Sequence, residues 1–213
     1  MVYSFLRVLI RVLLYIINGR PHYLNRKNLP KGSYILVGPH RTWFDPIYYA
    51  LAASPKKFSF MAKEELFKNP IIRWILVHCY AFSVNRTNPG PSAIKTPVNI
   101  LRQGKLSMII FPSGSRHTQH LKGGAVVIAK MANVPLIPTV YQGPLTFKTL
   151  FSRKRATVDF GEPIQIDRKQ RMDEAGRNAL DAQLQNAFNK LDKEINPDSV
   201  SYTHLRAHET GAY

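Results

Sequence analysis

Residues 34–46 read YILVGPHRTWFDP, and this stretch decides the fold. An apolar run ends at Gly38 and another follows Pro46, so a strand is predicted to pass through a loop into a helix. The loop carries His40 and, five residues on, Asp45. A carboxylate that reaches the far ring nitrogen of a histidine fixes its tautomer and stabilises its protonated form, which a general base requires.

Asp45 has a second interpretation, as a helix cap. Pro46 suits the first position of a helix over the apolar residues 47–53, and Asp45 then suits the N-cap. A lone histidine is also more often structural than catalytic. The spacing of His40 and Asp45 therefore leaves a catalytic pair and a capped helix start both open.

The composition predicts a globular, basic protein with one core. The chain has 213 residues, 45% of them hydrophobic, and a formal charge of +17 from 30 Lys+Arg and 13 Asp+Glu. Such an excess predicts an anionic partner: nucleic acid, an anionic membrane surface or a phosphorylated substrate. Cys79 is the only cysteine, which excludes an internal disulfide, and its apolar surroundings suit a packing residue.

The N-terminal segment favours a membrane surface. Residues 2–17 are apolar apart from Ser4, Arg7 and Arg11, and no signal-peptide cleavage site follows. The run is short for a membrane-spanning helix, which needs about 20 apolar residues. Because Arg7 and Arg11 share one helical face, we expect residues 1–20 to form a helix in the membrane interface with both arginines at headgroup level. Packing of this helix on the protein's own core is the alternative.

Strands and helices alternate through the rest of the chain. The pattern predicts strands over residues 33–37, 57–61, 81–85, 106–111, 136–141 and 156–160, and helices over 46–53, 70–77, 93–103, 124–132 and 173–195. We expect a single α/β domain over residues 21–198, with helices on both faces of its sheet. Ligands of such sheets bind at the carboxyl ends of the strands, where His40 and the loop after Phe111 both fall.

Residues 199–213 do not continue this pattern. The run from Ser201 to Thr210 resembles translated adapter sequence found at the ends of reading frames from environmental assemblies. We expect this tail to be non-native or disordered and to pack against nothing.

The loop after Phe111 has features of an anion site. Gly114 allows close backbone approach, Ser113 and Ser115 supply hydroxyls, and Arg116 has a guanidinium suited to phosphate. The same residues are also ordinary turn chemistry, and they do not form the G-x-S-x-G elbow of a serine hydrolase.

Three cations are predicted to lie at the ends of elements: Lys63, Arg86 and Arg116. They can serve one anionic group or be separate, solvated surface charges. His117 and His120 also fall in the loop after Phe111, but no cysteine or carboxylate beside them completes a metal set, so no metal site is predicted.

Four blocks in this order resemble the glycerolipid acyltransferase family and, within it, the 1-acylglycerol-3-phosphate acyltransferases. The blocks are His40-x4-Asp45, Lys63-x-Glu65-Leu66 running on to Phe82-Ser83-Val84-Asn85-Arg86, Phe111-Pro112-Ser113-Gly114-Ser115-Arg116, and Val134-Pro135-Leu136-Ile137-Pro138. Their joint order and spacing, over residues 30–145, are specific where each block alone is not.

The resemblance implies a fold and a reaction. The fold is an α/β acyltransferase domain with a mixed sheet, held at the cytoplasmic face of the cell membrane as a peripheral or monotopic protein. The reaction transfers a fatty acyl chain from a thioester of coenzyme A or acyl carrier protein to lysophosphatidic acid, which makes phosphatidic acid. No bound cofactor is implied, because a thioester is already an activated donor.

The resemblance also implies roles for individual residues. His40 would be the general base and Asp45 its orienting partner. The acceptor's phosphate would be bound by two arginines, a lysine and the loop after Phe111, namely Arg86, Arg116, Lys63, Ser113, Gly114 and Ser115.

Two departures from the family pattern bear on the substrate. Most relatives have glutamate where this chain has Ser113, which leaves another lysolipid or glycerol-phosphate acceptor open. Glycine often precedes the second block's strand, where this chain has Tyr80 or Ala81.

Two non-enzymatic alternatives remain: a catalytically idle lipid-binding protein of the same fold, and a nucleic-acid-binding module. The second needs exposed aromatic residues among the basic ones. The aromatic residues near basic positions lie in apolar runs and are predicted to be core, so no nucleic-acid partner is expected; they are Phe58, Phe60, Phe67 and Trp74.

Overall fold

A computed structural model describes residues 2–85, 88–112, 123–167, 169 and 173–197. Its strands are β1 (His22–Leu24), β2 (Ile35–Val37), β3 (Phe58–Lys63), β4 (Ala81–Val84), β5 (Ser107–Ile110), β6 (Leu136–Gln142) and β7 (Thr157–Phe160). Its helices are α1 (Val2–Asn18), α2 (Asp45–Ala52), α3 (Pro70–His78), α4 (Ser92–Arg102), α5 (Gly124–Ala132), α6 (Phe147–Leu150) and α7 (Glu174–Ile195), with 3₁₀ turns at Arg26–Asn28 and Glu64–Lys68.

The strands form one seven-stranded sheet in the order β1-β7-β6-β2-β5-β3-β4. Every pairing is parallel except that of β6 with β7, so the predicted mixed sheet is confirmed. Residues of α4, α5 and α7 pack on one face, and residues of α1, α2 and α6 pack on the other. This double cover explains why the central strands β2 and β5 are apolar almost throughout and fully buried.

Three elements differ from the sequence-based expectation. β1 lies in a stretch expected to be a linker, and it pairs with β7 although three residues are too few to show a strand pattern. The short helix α6 is likewise absent from the sequence pattern. Trp74, expected in the core, is 53% exposed, because its helix α3 lies beside the edge strand β4 and buries none of its residues.

α1 is amphipathic, and its Arg7 side chain does not lie where the sequence predicts. Leu14 and Asn18 face the protein, and the Arg7 guanidinium donates to the backbone carbonyl of Pro55 at 2.8 Å instead of extending freely. Six apolar side chains lie on the outer side and are 42–71% exposed: Phe5, Val8, Leu9, Val12, Leu13 and Ile16. α1 therefore packs on the core with one side and leaves its other side exposed.

None of the helices in the described part of the chain is long and apolar enough to cross a membrane. The tail over residues 199–213 lies outside the described residues.

Gly38 marks the exit of β2 and is required there for steric reasons. A Cβ at this position would lie 2.1 Å from the carbonyl oxygen of Thr139 and 2.4 Å from the hydroxyl oxygen of Tyr49. That hydroxyl donates to the same Thr139 oxygen at 2.7 Å and is fully buried. Any side chain at residue 38 therefore separates β2 from β6 or breaks a buried hydrogen bond.

The substitution Gly38→Ala should reduce the free energy of unfolding by about 3 kcal/mol, from overpacking and the loss of the Tyr49 hydrogen bond. Urea denaturation measures it. Gly32→Ala is the matched control, since a Cβ there has no atom within 4 Å, and it should stay close to the parent. Equal stability of the two variants would contradict the steric requirement.

Candidate active site

The loop that carries His40 meets Phe111, the residue after β5, at the carboxyl ends of β2 and β5. Val37 and Ile110 are paired residues at the ends of these adjacent parallel strands. The next residue after β5, Phe111, stacks on the ring of His40 with centroids 4.1 Å apart and planes 17° apart. The stack sets the plane of the imidazole, so the position of His40 depends on both strands.

His40 and Asp45 form a close pair. The Nδ1 atom of His40 lies 3.1 Å from Oδ2 of Asp45, whose carboxylate is fully buried. The same oxygen accepts the backbone N–H groups of Arg41 at 2.6 Å and Thr42 at 2.8 Å. Within the described part of the chain, Oδ1 of Asp45 has no hydrogen-bond partner. One carboxylate oxygen therefore holds the imidazole and shapes the loop that carries it.

The capping interpretation of Asp45 is wrong. α2 begins at Asp45, its N-cap is Phe44, and no side chain caps it. The carboxylate instead turns back to the N–H groups three and four residues earlier. Its charge still suits the first turn of a helix, where the dipole favours an anion.

The other ring nitrogen of His40 is available. Nδ1 is directed at Asp45, and no described residue forms a hydrogen bond with Nε2. The side chain is 17% exposed. Nε2 is thus the ring nitrogen left for a reaction partner.

Arg41 anchors this loop to the C-terminal helix. Its guanidinium binds both carboxylate oxygens of Asp192 on α7, and it donates to the carbonyl of Tyr141 at 3.0 Å. Gln142 also donates to Asp192, at 2.9 Å. Burial opposes the charge of Arg41, but the hydrogen bond and charge of Asp192 outweigh it and raise the Arg41 pKa. The sequence contains no sign of this pair, because 151 residues separate its members.

Of the predicted anion-binding residues, only Lys63 is in the described part of the chain. It is exposed and is the last residue of β3. It therefore lies at the end of the sheet formed by the carboxyl ends of the parallel strands, the end that also carries His40. β5 alone separates β3 from β2, which places their backbones about 10 Å apart. Arg86, Ser113, Gly114, Ser115 and Arg116 lie outside the described residues; the strands before them, β4 and β5, also have their carboxyl ends there.

No cluster of three His, Cys, Asp or Glu side chains able to hold a metal occurs among the described residues.

The sequence of this chain is similar to those of known proteins. Residues 20–142 match the family model described as Acyltransferase. The chain is 48% identical over 196 residues to the 1-acyl-sn-glycerol-3-phosphate acyltransferase of Streptococcus pneumoniae, a match covering 91% of this chain and 74% of that protein. It is 38% identical over 200 residues to the Bacillus subtilis protein of the same name, covering 90% and 99%.

The fold also matches a solved structure, that of the 1-acyl-sn-glycerophosphate acyltransferase PlsC from Thermotoga maritima. The TM-score is 0.62 at 20% identity, and the match covers 87% of this chain and 81% of that one. The expected α/β fold and the expected family are confirmed. This chain belongs to the acyltransferase family.

Proposed function

We propose that this protein transfers a fatty acyl chain from a thioester to the free hydroxyl of 1-acylglycerol-3-phosphate and so makes phosphatidic acid. The observation that carries the proposal is the His40–Asp45 pair, with Nδ1 held at 3.1 Å and Nε2 unpartnered among the described residues. The names of the two bacterial relatives support the acceptor.

His40 acts as the general base in this reaction. The buried Asp45 carboxylate accepts a hydrogen bond from the Nδ1–H group, which leaves the Nε2 lone pair free to take the proton of the acceptor hydroxyl. The hydroxyl oxygen then bonds to the thioester carbonyl carbon. As the C–S bond breaks, the imidazolium returns its proton to the leaving thiolate. Asp45 stabilises the imidazolium between these two steps.

The acceptor's phosphate is bound by Lys63, at the end of β3, and by Arg86 and Arg116, which follow β4 and β5 in the sequence. The loop residues Ser113, Gly114 and Ser115 supply further donors. Holding the hydroxyl against the thioester is a positioning contribution, separate from the proton transfer by His40. The donor is acyl-coenzyme A or an acylated carrier protein; an acidic carrier protein and an anionic lipid both suit a chain of charge +17.

The protein acts at the cytoplasmic face of the membrane, as a peripheral or monotopic protein. The outward apolar side of α1 supports this placement, because contiguous exposed apolar surface marks an interaction site. A lipid acceptor and a lipid product both enter and leave from that surface.

A second acceptor is favoured by one residue. Ser113 stands where most members of the resembled family carry glutamate, so another lysolipid or a glycerol phosphate competes as the natural acceptor. Parallel assays with these acceptors distinguish the candidates.

Purified protein, given lysophosphatidic acid in vesicles and either acyl thioester, should form phosphatidic acid. His40→Ala should lower turnover about 10²- to 10⁴-fold, the usual contribution of general-base catalysis. Product formation measured by mass spectrometry, with each donor in turn, tests the activity and identifies the donor.

His22→Ala is the matched control, since His22 is exposed on the edge strand β1, which β7 and β6 separate from β2. It should retain the parent's rate. Near-parental turnover by His40→Ala would exclude His40 as the general base. Absence of product from the parent protein with both donors and every acceptor would exclude the proposed acyl transfer.

Asp45→Asn should lower kcat at least about 10²-fold while leaving the KM of the acceptor nearly unchanged. The amide oxygen can still accept the N–H groups of Arg41 and Thr42, but the charge that orients and stabilises His40 is lost. Steady-state kinetics with thermal unfolding as a fold check measures the effect. A rise in KM at constant kcat would show that Asp45 serves acceptor binding instead.

Arg116→Ala should act mainly on the KM of the acceptor, raising it about tenfold, as expected for loss of one charge-assisted phosphate contact. Arg102→Ala is the control, because Arg102 is exposed on α4, which packs on the other face of the sheet from α2. An acceptor KM equal to that of the control would remove Arg116 from the phosphate site.

A further inference from the structure

α3 is a largely apolar helix that buries none of its residues. Helices α2 and α5, by contrast, bury most of their side chains. Five apolar side chains of α3 are 39–70% exposed: Ile71, Ile72, Trp74, Ile75 and Val77. A helix that is apolar nearly all round belongs in a core or a lipid environment, and this one lies in neither within the isolated chain.

The N-terminus of α3 is capped by a side chain. The side chain of Asn69 accepts the N–H groups of Ile71 at 3.0 Å and Ile72 at 3.1 Å, and Pro70 follows as the first helical residue. The exposed apolar side chains are therefore presented by a capped helix and not by an irregular loop.

α3 and α1 lie on the same side of the sheet. The connections from β2 to β3 and from β3 to β4 advance in one direction across the sheet, so right-handed crossovers place α2 and α3 on one face. α1 packs on the face covered by α2. The exposed sides of α1 and α3 thus lie on the same face of the sheet.

Tyr80 joins the two helices. It follows α3 with φ +59°, in the left-handed region that favours glycine, and its ring lies 5.4 Å from that of Tyr3 on α1. Tyr3 is itself buried, and its hydroxyl accepts the N–H of Phe58. The Tyr80 side chain therefore ties α1 to the end of α3.

The charge around this surface is predominantly positive. Residues 2–31 contain six Lys or Arg and no acidic residue, and residues 56–80 contain five against two. A second copy of the chain would bring these like charges together, whereas an anionic bilayer neutralises them. Tryptophan, which α3 exposes as Trp74, is also enriched at bilayer interfaces.

We propose that α3 is a second membrane-docking element, which together with α1 forms one surface for an anionic lipid bilayer. The Tyr3–Tyr80 contact holds the two helices in register. Docking through α3 brings the bilayer to the carboxyl end of β3. His40 lies at the same end of the sheet. This last consequence rests on the proposed function; the lipid contact itself does not.

Trp74 can report the contact directly, because the chain has two tryptophans and Trp43→Phe leaves Trp74 alone. On vesicles rich in phosphatidylglycerol, its emission should shift to the blue and be quenched by brominated acyl chains. Vesicles of phosphatidylcholine alone should give a much weaker shift at the same lipid concentration.

The double variant Ile71→Ser, Trp74→Ser should bind the anionic vesicles about tenfold more weakly or worse in a sedimentation assay, since two large apolar side chains no longer enter the bilayer. Met131→Ser is the matched control: Met131 is 44% exposed on α5, on the opposite face of the sheet, and its loss should leave binding unchanged. His40→Ala, assayed without substrate, should bind like the parent, which separates this proposal from the catalytic one.

Two outcomes would overturn the proposal. Sedimentation with vesicles while Trp74 emission stays that of a water-exposed residue would show that α1 binds alone. Self-association without lipid, abolished by the double variant and retained by Met131→Ser, would make a second copy of the chain the occupant. The fluorescence measurement keeps α3 intact, so it decides the question even where the double variant fails to fold.

Discussion

The structure around the site depends on one carboxylate oxygen, Oδ2 of Asp45, which accepts His40 and the backbone N–H groups of Arg41 and Thr42. Asp45 is the only acidic residue among the first 63. In so basic a segment, a buried negative charge is stabilised by these donors and also determines which way the imidazole turns. The shape of the loop and the orientation of His40 therefore depend on the same carboxylate. Any change that moves this carboxylate also moves the imidazole ring.

That arrangement is local, but it is held from a distance. The Arg41–Asp192 pair links the loop to the C-terminal helix, and Phe111 supports the ring of His40 from the adjacent strand. Removing one member of such a buried ion pair leaves the other charge without its partner, which is strongly destabilising. The C-terminal helix thus has a part in positioning the loop although it contains none of the residues proposed to react.

Short-range patterns in the sequence are enough to predict the alternating strands and the starts and ends of most helices. Prediction fails where one spacing allows two local arrangements and where distant parts of the chain meet. The spacing alone leaves Asp45 a capping role that its contacts with the preceding loop exclude, and the partner of Arg41 lies 151 residues away. The core placement of Trp74 fails for another reason, because an apolar run does not distinguish a core from an exposed apolar surface.

Tyr80 connects the two helices, α1 and α3, whose outer sides are apolar. A non-glycine residue at φ +59° carries a conformational cost of about 1 kcal/mol or more, which persists only where its contacts offset it. The side chain responsible for this cost is the one that packs against Tyr3 of α1. Glycine would remove the cost and leave α3 fixed only by β4 and the preceding 3₁₀ turn. The tyrosine instead aligns two helices whose outer sides are apolar. Under the proposal that both helices dock on a bilayer, this contact keeps their apolar sides on one surface.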